Sequence, residues 1–344
     1  MQQTGHEVVV IGGSAGAIAP LRALLSQLPA ELTASVFVAL HMPPRGHGLL
    51  RSITATISHL PVCQAENGMT IQPGHIYLAV PGCHLLLADT GVIRLGHGPR
   101  ENMARPAIDA LFRSAAVAYG TRVIGVLLSG MLNDGVAGLE AIKRCGGYTV
   151  VQDPQEAVAA EMPRNALRKV SIDVTAPTAR LAEVVTERVT EPASSAMEIP
   201  DDLRMEVQIA AGDHIDSDIV RDFADPAPLT CPSCGGVMSK LRNGKLLRFR
   251  CQVGHAMSAE VMAKEQENAV DEALRVALRV IEERAALVER MADDNRRSER
   301  MVAAQIYEQR VEEYRNYADV LRRALILSME STSAASASFN DVDE

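Results

Sequence analysis

The sequence predicts an α/β fold in which a doubly wound, mostly parallel sheet with an antiparallel edge precedes a small Cys/His segment and a helical C-terminal region. Three observations predict it. Short β-branched runs alternate with helix-like stretches from residue 8 to about residue 185, which is the pattern of a parallel sheet covered by helices. Three cysteines and a histidine cluster within residues 230–258. Beyond that cluster neither Gly nor Pro occurs, and the apolar residues fall into helical register.

The first region supplies the elements of a Rossmann-like sheet. The candidate strands are residues 8–11, 36–40, 75–79, 85–88, 123–128 and 148–152. The candidate helices are residues 17–27, 105–118, 136–145 and 163–169. Glycine and proline punctuate the middle block at Gly74, Pro81, Gly82 and Gly91, so this block is predicted to be a hairpin rather than a βαβ crossover.

Composition divides the chain into segments with different expected behaviour. We expect an α/β domain over 1–192, an acidic linker over 193–228, the Cys/His segment over 229–258, helices over 259–330 and a disordered tail over 331–344. The linker is expected because nine Asp and Glu between positions 198 and 225 stand against only Arg204 and Arg221. Such a segment is typically solvated.

The helical region carries two apolar stripes that need a partner surface. Their members are Val270, Leu274, Leu278, Ile281, Ala285, Val288 and Ala292, then Val311, Tyr314, Ala318, Leu321 and Leu325. Spacing by threes and fours places each set on one face of a helix. A turn at residues 293–295 would give a helical hairpin, and a single long helix is the alternative. A coiled coil in a homo-oligomer, a hairpin within the chain and packing on the first domain are all compatible with these stripes.

Charge and hydropathy exclude some classes of function. The formal net charge of −9 argues against nucleic acid as a partner, because neutralising phosphates requires clustered Lys and Arg. No apolar run approaches the roughly 20 residues that a membrane helix needs, so no membrane insertion is expected. The N-terminus lacks the features of a signal peptide, which predicts a cytoplasmic protein. A protein or small-molecule partner is therefore expected.

Ser14, His41 and Asp134 each follow a candidate strand. The carboxyl ends of parallel strands share one edge of a sheet, where ligands bind. Serine, imidazole and carboxylate are the groups that an activated nucleophile requires. Each residue also has a simpler interpretation: Ser14 as a helix cap, His41 as a core histidine and Asp134 as a turn residue.

A dinucleotide-binding loop is the competing interpretation of the Gly-rich turn before the first helix. That loop needs Gly at positions i, i+2 and i+5, but counting from Gly12 the required positions hold Ser14 and Ala17. The acidic residue expected about 20 residues further on is also missing, because His41 follows the second strand. A nucleotide-binding domain, which would bind NAD or ATP, is thus disfavoured.

Several longer motifs resemble the catalytic domain of CheB, the chemotaxis protein-glutamate methylesterase. They are Gly12-Gly13-Ser14-Ala15-Gly16, His41-Met42-Pro43-Pro44, the block from Pro73 to Ala79, the stretch from Arg105 to Ser114, and Ser129-Gly130-Met131-Leu132-Asn133-Asp134-Gly135. The resemblance covers roughly residues 7–189. One departure is Leu132, which stands where the family commonly has Gly. Another is that the resemblance includes no receiver domain ahead of the esterase domain, so different control is expected.

The resemblance implies an activity and roles for residues. Ser14 would be the nucleophile, His41 the general base and Asp134 the orienting acid, with no cofactor for catalysis. The reaction would be hydrolysis of a glutamyl methyl ester on a methylated chemoreceptor or receptor-like protein, with release of methanol, and glutamine deamidation is a further family activity. The backbone N–H groups of Ala15, Gly16 and Met131 are candidate oxyanion donors. A non-catalytic scaffold that binds receptor segments is the alternative.

The Cys/His segment has the spacing of a zinc site. Cys231, Cys234, Cys251 and His255 form the pattern C-x2-C-x16-C-x3-H, a Cys3His set suited to tetrahedral zinc. Four protein ligands leave no open position, so we expect a structural zinc that stabilises a small ribbon. Unliganded thiols in a loop are the alternative. The ribbon is also locally basic, at Arg242, Lys245, Arg248 and Arg250, which predicts a solvated or protein-facing surface rather than a nucleic-acid site.

Overall fold

The computed structural model describes residues 5–41, 47–213 and 223–338. The chain separates into two compact units, residues 1–262 and residues 263–344. The strands of the first unit are β1 (Val8–Gly13), β2 (Ser35–Leu40), β3 (Val62–Gln64), β4 (Ile76–Leu78), β5 (His84–Leu87), β6 (Ile93–Gly96), β7 (Val123–Leu127), β8 (Tyr148–Gln152), β9 (Val174–Ala176), β10 (Ala224–Thr230), β11 (Val237–Leu241), β12 (Arg248–Cys251) and β13 (Ala256–Ser258). Its helices are α1 (Ile18–Gln27), α2 (His47–Ile57), α3 (Ile108–Tyr119), α4 (Val136–Arg144), α5 (Glu161–Lys169), α6 (Leu181–Thr190) and α7 (Asp201–Ala211).

The main sheet has seven strands in the order β3-β4-β2-β1-β7-β8-β9. All of its pairings are parallel. Every residue of β1 is buried, and alternate side chains enter two apolar clusters on opposite faces of the sheet, with Val8 and Val10 in one and Val9 and Ile11 in the other. A strand buried on both faces is what a parallel sheet covered by helices requires. The predicted α/β fold is confirmed.

The predicted hairpin of the middle block is present as the antiparallel pair β5-β6. It forms a two-stranded sheet of its own and is not an edge of the main sheet. The preceding strand β4 lies inside the main sheet, parallel to both β2 and β3. The short strands β3 and β9 were not predicted.

The expected acidic linker is wrong for residues 201–211 and for the start of β10, whereas residues 193–200 form no helix or strand. Residues 201–211 form α7, and Glu206 on this helix is only 1 % exposed. Its carboxylate pairs with Arg113, Arg248 and Arg250. An acidic segment is solvated only if its carboxylates have no buried cationic partners in the fold. The sequence alone does not show that buried arginines pair with Glu206. Residues 214–222 of the expected linker lie outside the described residues.

The Cys/His segment forms a four-stranded antiparallel sheet in the order β10-β11-β12-β13, which we call the small sheet. It begins at Ala224, five residues before the predicted boundary. The small sheet belongs to the same compact unit as the main sheet. Its apolar cluster includes Met238, Phe249 and Met257.

Two long helices form the C-terminal region. They are α8 (Ala259–Arg297) and α9 (Met301–Ser338). Ion pairs join Glu282 to Arg322, Glu289 to Arg315 and Arg296 to Glu308, so the helices run antiparallel and the hairpin forms rather than a single helix. The turn follows Arg297, a few residues later than predicted.

The structure also differs from the prediction at the C-terminus. Residues 331–338 of the predicted tail are helical, and residues 339–344 lie outside the described part. No helix within residues 5–41, 47–213 and 223–338 has both the length and the apolar character needed to cross a bilayer.

Candidate functional site

Ser14 and His41 lie side by side at the carboxyl edge of the main sheet. Strand β1 is paired in parallel with β2 on one side and β7 on the other, so strand order reverses at β1. Gly13 pairs with Leu40, and Ser14 and His41 are the next residues of each strand. The His41 N–H donates to the Gly13 carbonyl at 3.1 Å, and the Ser14 N–H donates to the Ser129 carbonyl at 2.9 Å. Ligands of doubly wound sheets bind at such a switch point.

The turn that carries Ser14 is held tightly. Gly16 has φ +76°, and a Cβ at this position would lie 2.6 Å from the Cβ of Val158. The Ser129 hydroxyl donates to the Ala15 carbonyl at 2.7 Å. Helix α1 begins only at Ile18 and has no side-chain cap, so Ser14 does not have the helix-capping role that was its simpler interpretation. Among the hydrogen bonds of the described residues, none uses the half-buried Ser14 hydroxyl.

His41 and Asp134 form a direct hydrogen bond. The His41 Nε2 atom lies 2.7 Å from Asp134 Oδ2. The His41 side chain is 24 % exposed, whereas the Asp134 side chain is 3 % exposed. The imidazole is thus accessible from solvent while its carboxylate partner is not. Residues 42–44 of the His-Met-Pro-Pro motif lie outside the described residues.

Asp134 is surrounded by donors. Besides His41, it accepts hydrogen bonds from the Asn102 side chain at 2.9 Å and from the backbone N–H groups of Ile108 at 2.6 Å and Asp109 at 3.2 Å. The last two open helix α3, whose unpaired N–H groups favour an anion. Burial on its own would raise the pKa of Asp134, but the bonds from His41, Asn102 and Ile108 outweigh it and lower the pKa. Asp134 is therefore held as the carboxylate.

Two residues of this site escaped the sequence analysis. The Asn102 amide also donates to Asp109 Oδ2 at 2.8 Å, so it bridges the two neighbouring carboxyl groups. Burial, followed by the charge of Asp134, raises the pKa of Asp109 well above its usual range. Neither Asn102 nor Asp109 follows a strand, so the strand-end rule could not find them. Asp109 lies in the Arg105–Ser114 stretch that resembles the family, whereas the φ of +47° that distinguishes Asn102 is known only from the structure.

Three backbone N–H groups at the site lack a partner. Within the described residues, the N–H groups of Ala15, Gly16 and Met131 donate to no protein acceptor. Ala15 and Gly16 directly follow Ser14, and Met131 lies in the loop after β7, where a Cβ on Gly130 would stand 3.1 Å from the Ser14 Cβ. Unpaired donors beside a free hydroxyl can stabilise a developing negative charge.

The predicted ligands Cys231, Cys234, Cys251 and His255 converge in the small sheet. All of their ligand atoms lie within 4.8 Å of one another. Cys234 Sγ is 3.7 Å from Cys251 Sγ, and Cys251 Sγ is 3.5 Å from His255 Nδ1. Tetrahedral zinc with bonds of about 2.3 Å to sulfur and about 2.0 Å to nitrogen requires separations of about 3.8 Å and 3.5 Å. The Cys234–Cys251 and Cys251–His255 separations therefore match those of tetrahedral zinc, and Cys231 lies in the same cluster.

The basic residues of the small sheet divide into two groups. Arg248 and Arg250 are almost fully buried, with Arg250 0 % exposed. Together with Arg113 of α3 they bind Glu206 and Glu101, which is also buried. Arg242 instead pairs with Asp225 at the surface. The buried arginines join the small sheet to the α/β core, so the predicted solvated or protein-facing surface is wrong for Arg248 and Arg250.

Comparisons with known proteins agree with this architecture. The CheB methylesterase family matches residues 9–185, just over half of the chain. A Burkholderia pseudomallei protein named protein-glutamate methylesterase/protein-glutamine glutaminase 1 is 38% identical over 190 residues, 54% of this chain and 51% of that protein. A Geobacter metallireducens protein of the same name is 35% identical over 175 residues, 50% of this chain and 48% of that protein. The chain thus spans about half the length of these relatives.

A solved structure extends the comparison to three dimensions. The Thermotoga maritima CheB methylesterase catalytic domain matches with a TM-score of 0.52 and 32% sequence identity. The match covers 54% of this chain and 99% of that domain. The seven-stranded sheet and the motifs around its carboxyl edge thus have a counterpart in a methylesterase domain. The chain belongs to the CheB methylesterase family.

Proposed function

We propose that the protein is a serine hydrolase that demethylates glutamate methyl esters on chemoreceptors or receptor-like proteins. The observation that carries the proposal is the buried Asp134 carboxylate bonded to the accessible His41, which follows β2 next to Ser14 at the end of the neighbouring strand β1. An acid, a base and a nucleophile in that relation are what ester hydrolysis through an acyl-enzyme requires. Membership of the family supports a glutamyl ester as the substrate.

Each residue has a definite role in this proposal. Asp134 bonds to Nε2 of His41 and so leaves Nδ1 to take the proton of the Ser14 hydroxyl as its oxygen attacks the ester carbonyl. The N–H groups of Ala15, Gly16 and Met131 stabilise the oxyanion. His41 then donates the proton to the departing methoxide, which releases methanol. A water molecule, deprotonated by His41, hydrolyses the acyl-enzyme and leaves glutamate.

Glutamine deamidation would use the same residues. Attack of Ser14 on a side-chain amide gives the same acyl-enzyme, with ammonia in place of methanol as the leaving group. Both relatives carry protein-glutamine glutaminase in their names, which supports this second reaction. Measuring ammonia released from a receptor fragment that contains glutamine would test it.

Methanol release from methylated receptor fragment is the direct test of the proposal. Ser14→Ala should lower kcat at least about 10³-fold, because it removes the nucleophile of a triad. Ser26→Ala is a matched control, since Ser26 bonds only to the Ala23 carbonyl within α1. Equal turnover by wild type and Ser14→Ala would overturn the assignment. A chain that binds the fragment but releases no methanol would instead support the scaffold alternative.

We also propose that Cys231, Cys234, Cys251 and His255 hold one structural zinc ion. The proposal is supported by the convergence of the four ligand atoms and by the Cys234–Cys251 and Cys251–His255 separations, which match those of tetrahedral zinc. Purified full-length protein should contain about one zinc per chain by elemental analysis. Cys251→Ser should lose it, whereas Cys83→Ser, outside the cluster, should keep it. Protein purified without chelator that contains no metal would refute the site.

A further inference from the structure

The small sheet reaches the catalytic carboxylate through Asn102. The Asn102 N–H donates to the Ala256 carbonyl at 2.8 Å, and the Ser258 N–H donates to Asn102 Oδ1 at 3.0 Å. Both partners belong to β13. The Asn102 amide nitrogen then donates to Asp134 at 2.9 Å. An unbroken series of hydrogen bonds therefore runs from the backbone of the small sheet to the carboxylate that orients His41.

Packing ties the same two surfaces together. Met103 and Leu132 have φ of +64° and +61°, a conformation that is unfavourable for residues with a side chain. One directly follows Asn102, and the other lies two residues before Asp134. Both side chains pack against the apolar cluster of the small sheet. A left-handed residue persists only where its surroundings impose it, so docking of the small sheet shapes the backbone on both sides of the site.

The Cys3His cluster lies at the origin of β13. Cys251 ends β12, and His255 immediately precedes Ala256. The turn between them is closed by the bonds from the Cys251 N–H to the His255 carbonyl and from the Gly254 N–H to the Cys251 carbonyl, both 2.9 Å. A metal held by Cys251 and His255 would therefore anchor the backbone that holds Asn102.

We propose that Asn102 is a positioning residue for Asp134 and that metal in the Cys3His cluster controls esterase activity by keeping Asn102 in place. This inference rests on the proposed function of the site. The metal itself takes no part in the reaction, because four protein ligands leave it no open position. Loss of the metal frees β13, and Asp134 then loses one of its donors.

The first experiment compares the zinc-loaded full-length protein with the same protein after chelation. Amide hydrogen exchange over residues 101–104 and 256–258 should become faster without zinc. The value of kcat should fall at least about tenfold with little change in KM, and added zinc should restore both measurements. A zinc-free chain that keeps its kcat and its slow exchange overturns the inference. If zinc-loaded protein is inactive, the proposed function fails, while the exchange measurement still decides whether metal holds Asn102.

The second experiment keeps the metal and removes the Asn102 side chain, which joins β13 to Asp134. A hydrogen bond to a charged group supports a reduction in kcat of roughly 10- to 100-fold for Asn102→Ala, with zinc content and KM unchanged. Because the Asn102 bond helps to lower the pKa of Asp134, the stability that the Asp134 carboxylate contributes should be lost at a higher pH in the variant as pH falls. Asn67→Ala is the matched control, since Asn67 accepts a bond from the Leu95 N–H. Unchanged kcat and an unchanged pH dependence of stability in Asn102→Ala overturn the inference, even if chelation unfolds the protein.

Discussion

Replacing Asp134 by Asn tests the core of the site, and its effect follows from the hydrogen bonds. Oδ2 accepts from His41 and the Ile108 N–H, while Oδ1 accepts from Asn102 and the Asp109 N–H. Whether the new amide nitrogen takes the position of Oδ1 or of Oδ2, it faces two donors and cannot accept a hydrogen bond from either. Each lost bond to a buried charged group is worth roughly 1.5–3 kcal/mol, so unfolding should become easier by about 3–6 kcal/mol.

The effect of Asp134→Asn on turnover should be larger than its effect on stability. Without the carboxylate, His41 loses the partner that fixes its tautomer and stabilises its protonated form, a change that lowers kcat about 10⁴-fold in serine proteases. Urea unfolding and methanol release measure the two effects. Asp89→Asn, on an exposed turn, should change neither. A folded Asp134→Asn protein with wild-type kcat would refute the proposed role of this carboxylate.

Other predictions concern the buried ion network and the Ser14 turn. Glu206→Gln should destabilise the protein by about 3–5 kcal/mol in urea unfolding, because buried arginines lose their counter-charge, whereas the exposed Glu183→Gln should leave stability unchanged. Burial on its own would raise the pKa of Glu206, but the charges of the three arginines outweigh burial and hold this pKa well below its usual range. The contribution of Glu206 to folding stability should therefore be complete above the ordinary Glu pKa of about 4.3 and should decline as pH falls further. A stability that does not decline, or that declines equally steeply in Glu206→Gln, would contradict this. Gly16→Ala should cost more activity than Gly68→Ala, since both have positive φ but only Gly16 has neighbours within 4 Å of an added Cβ; equal effects would show that the close contact with Val158 does not matter.

The positions of Ser14 and His41 could be predicted because of a simple geometric constraint. Parallel strands place their carboxyl ends at one edge, so residues that follow β1, β2 and β7 had to approach one another once the strands were recognised. Periodicity and β-branched residues were sufficient to recognise these strands. The Cys3His cluster could be predicted for a different reason, because the short spacing between its cysteines already limits the geometry.

The surroundings of the site could not be predicted in this way. Asn102 contacts Asp134 and β13, which are separated from it in the sequence by 32 and more than 150 positions. The sequence shows that Asn102 is polar, but not which groups lie beside it. Leu132 shows the same limit: its departure from the family's usual glycine is explained only by its packing against the small sheet.

By itself, the sequence determined the α/β class, the strand ends that carry Ser14, His41 and Asp134, the cysteine spacing and the two long helices. All of these depend on local pattern and chain direction. Only the tertiary structure decided that residues 201–211 are a buried helix and that the small sheet is docked beside the site. The reason is physical: whether a charged side chain is solvated or buried depends on the partners that folding brings to it. For Glu206 those partners are three arginines that come from α3 and β12.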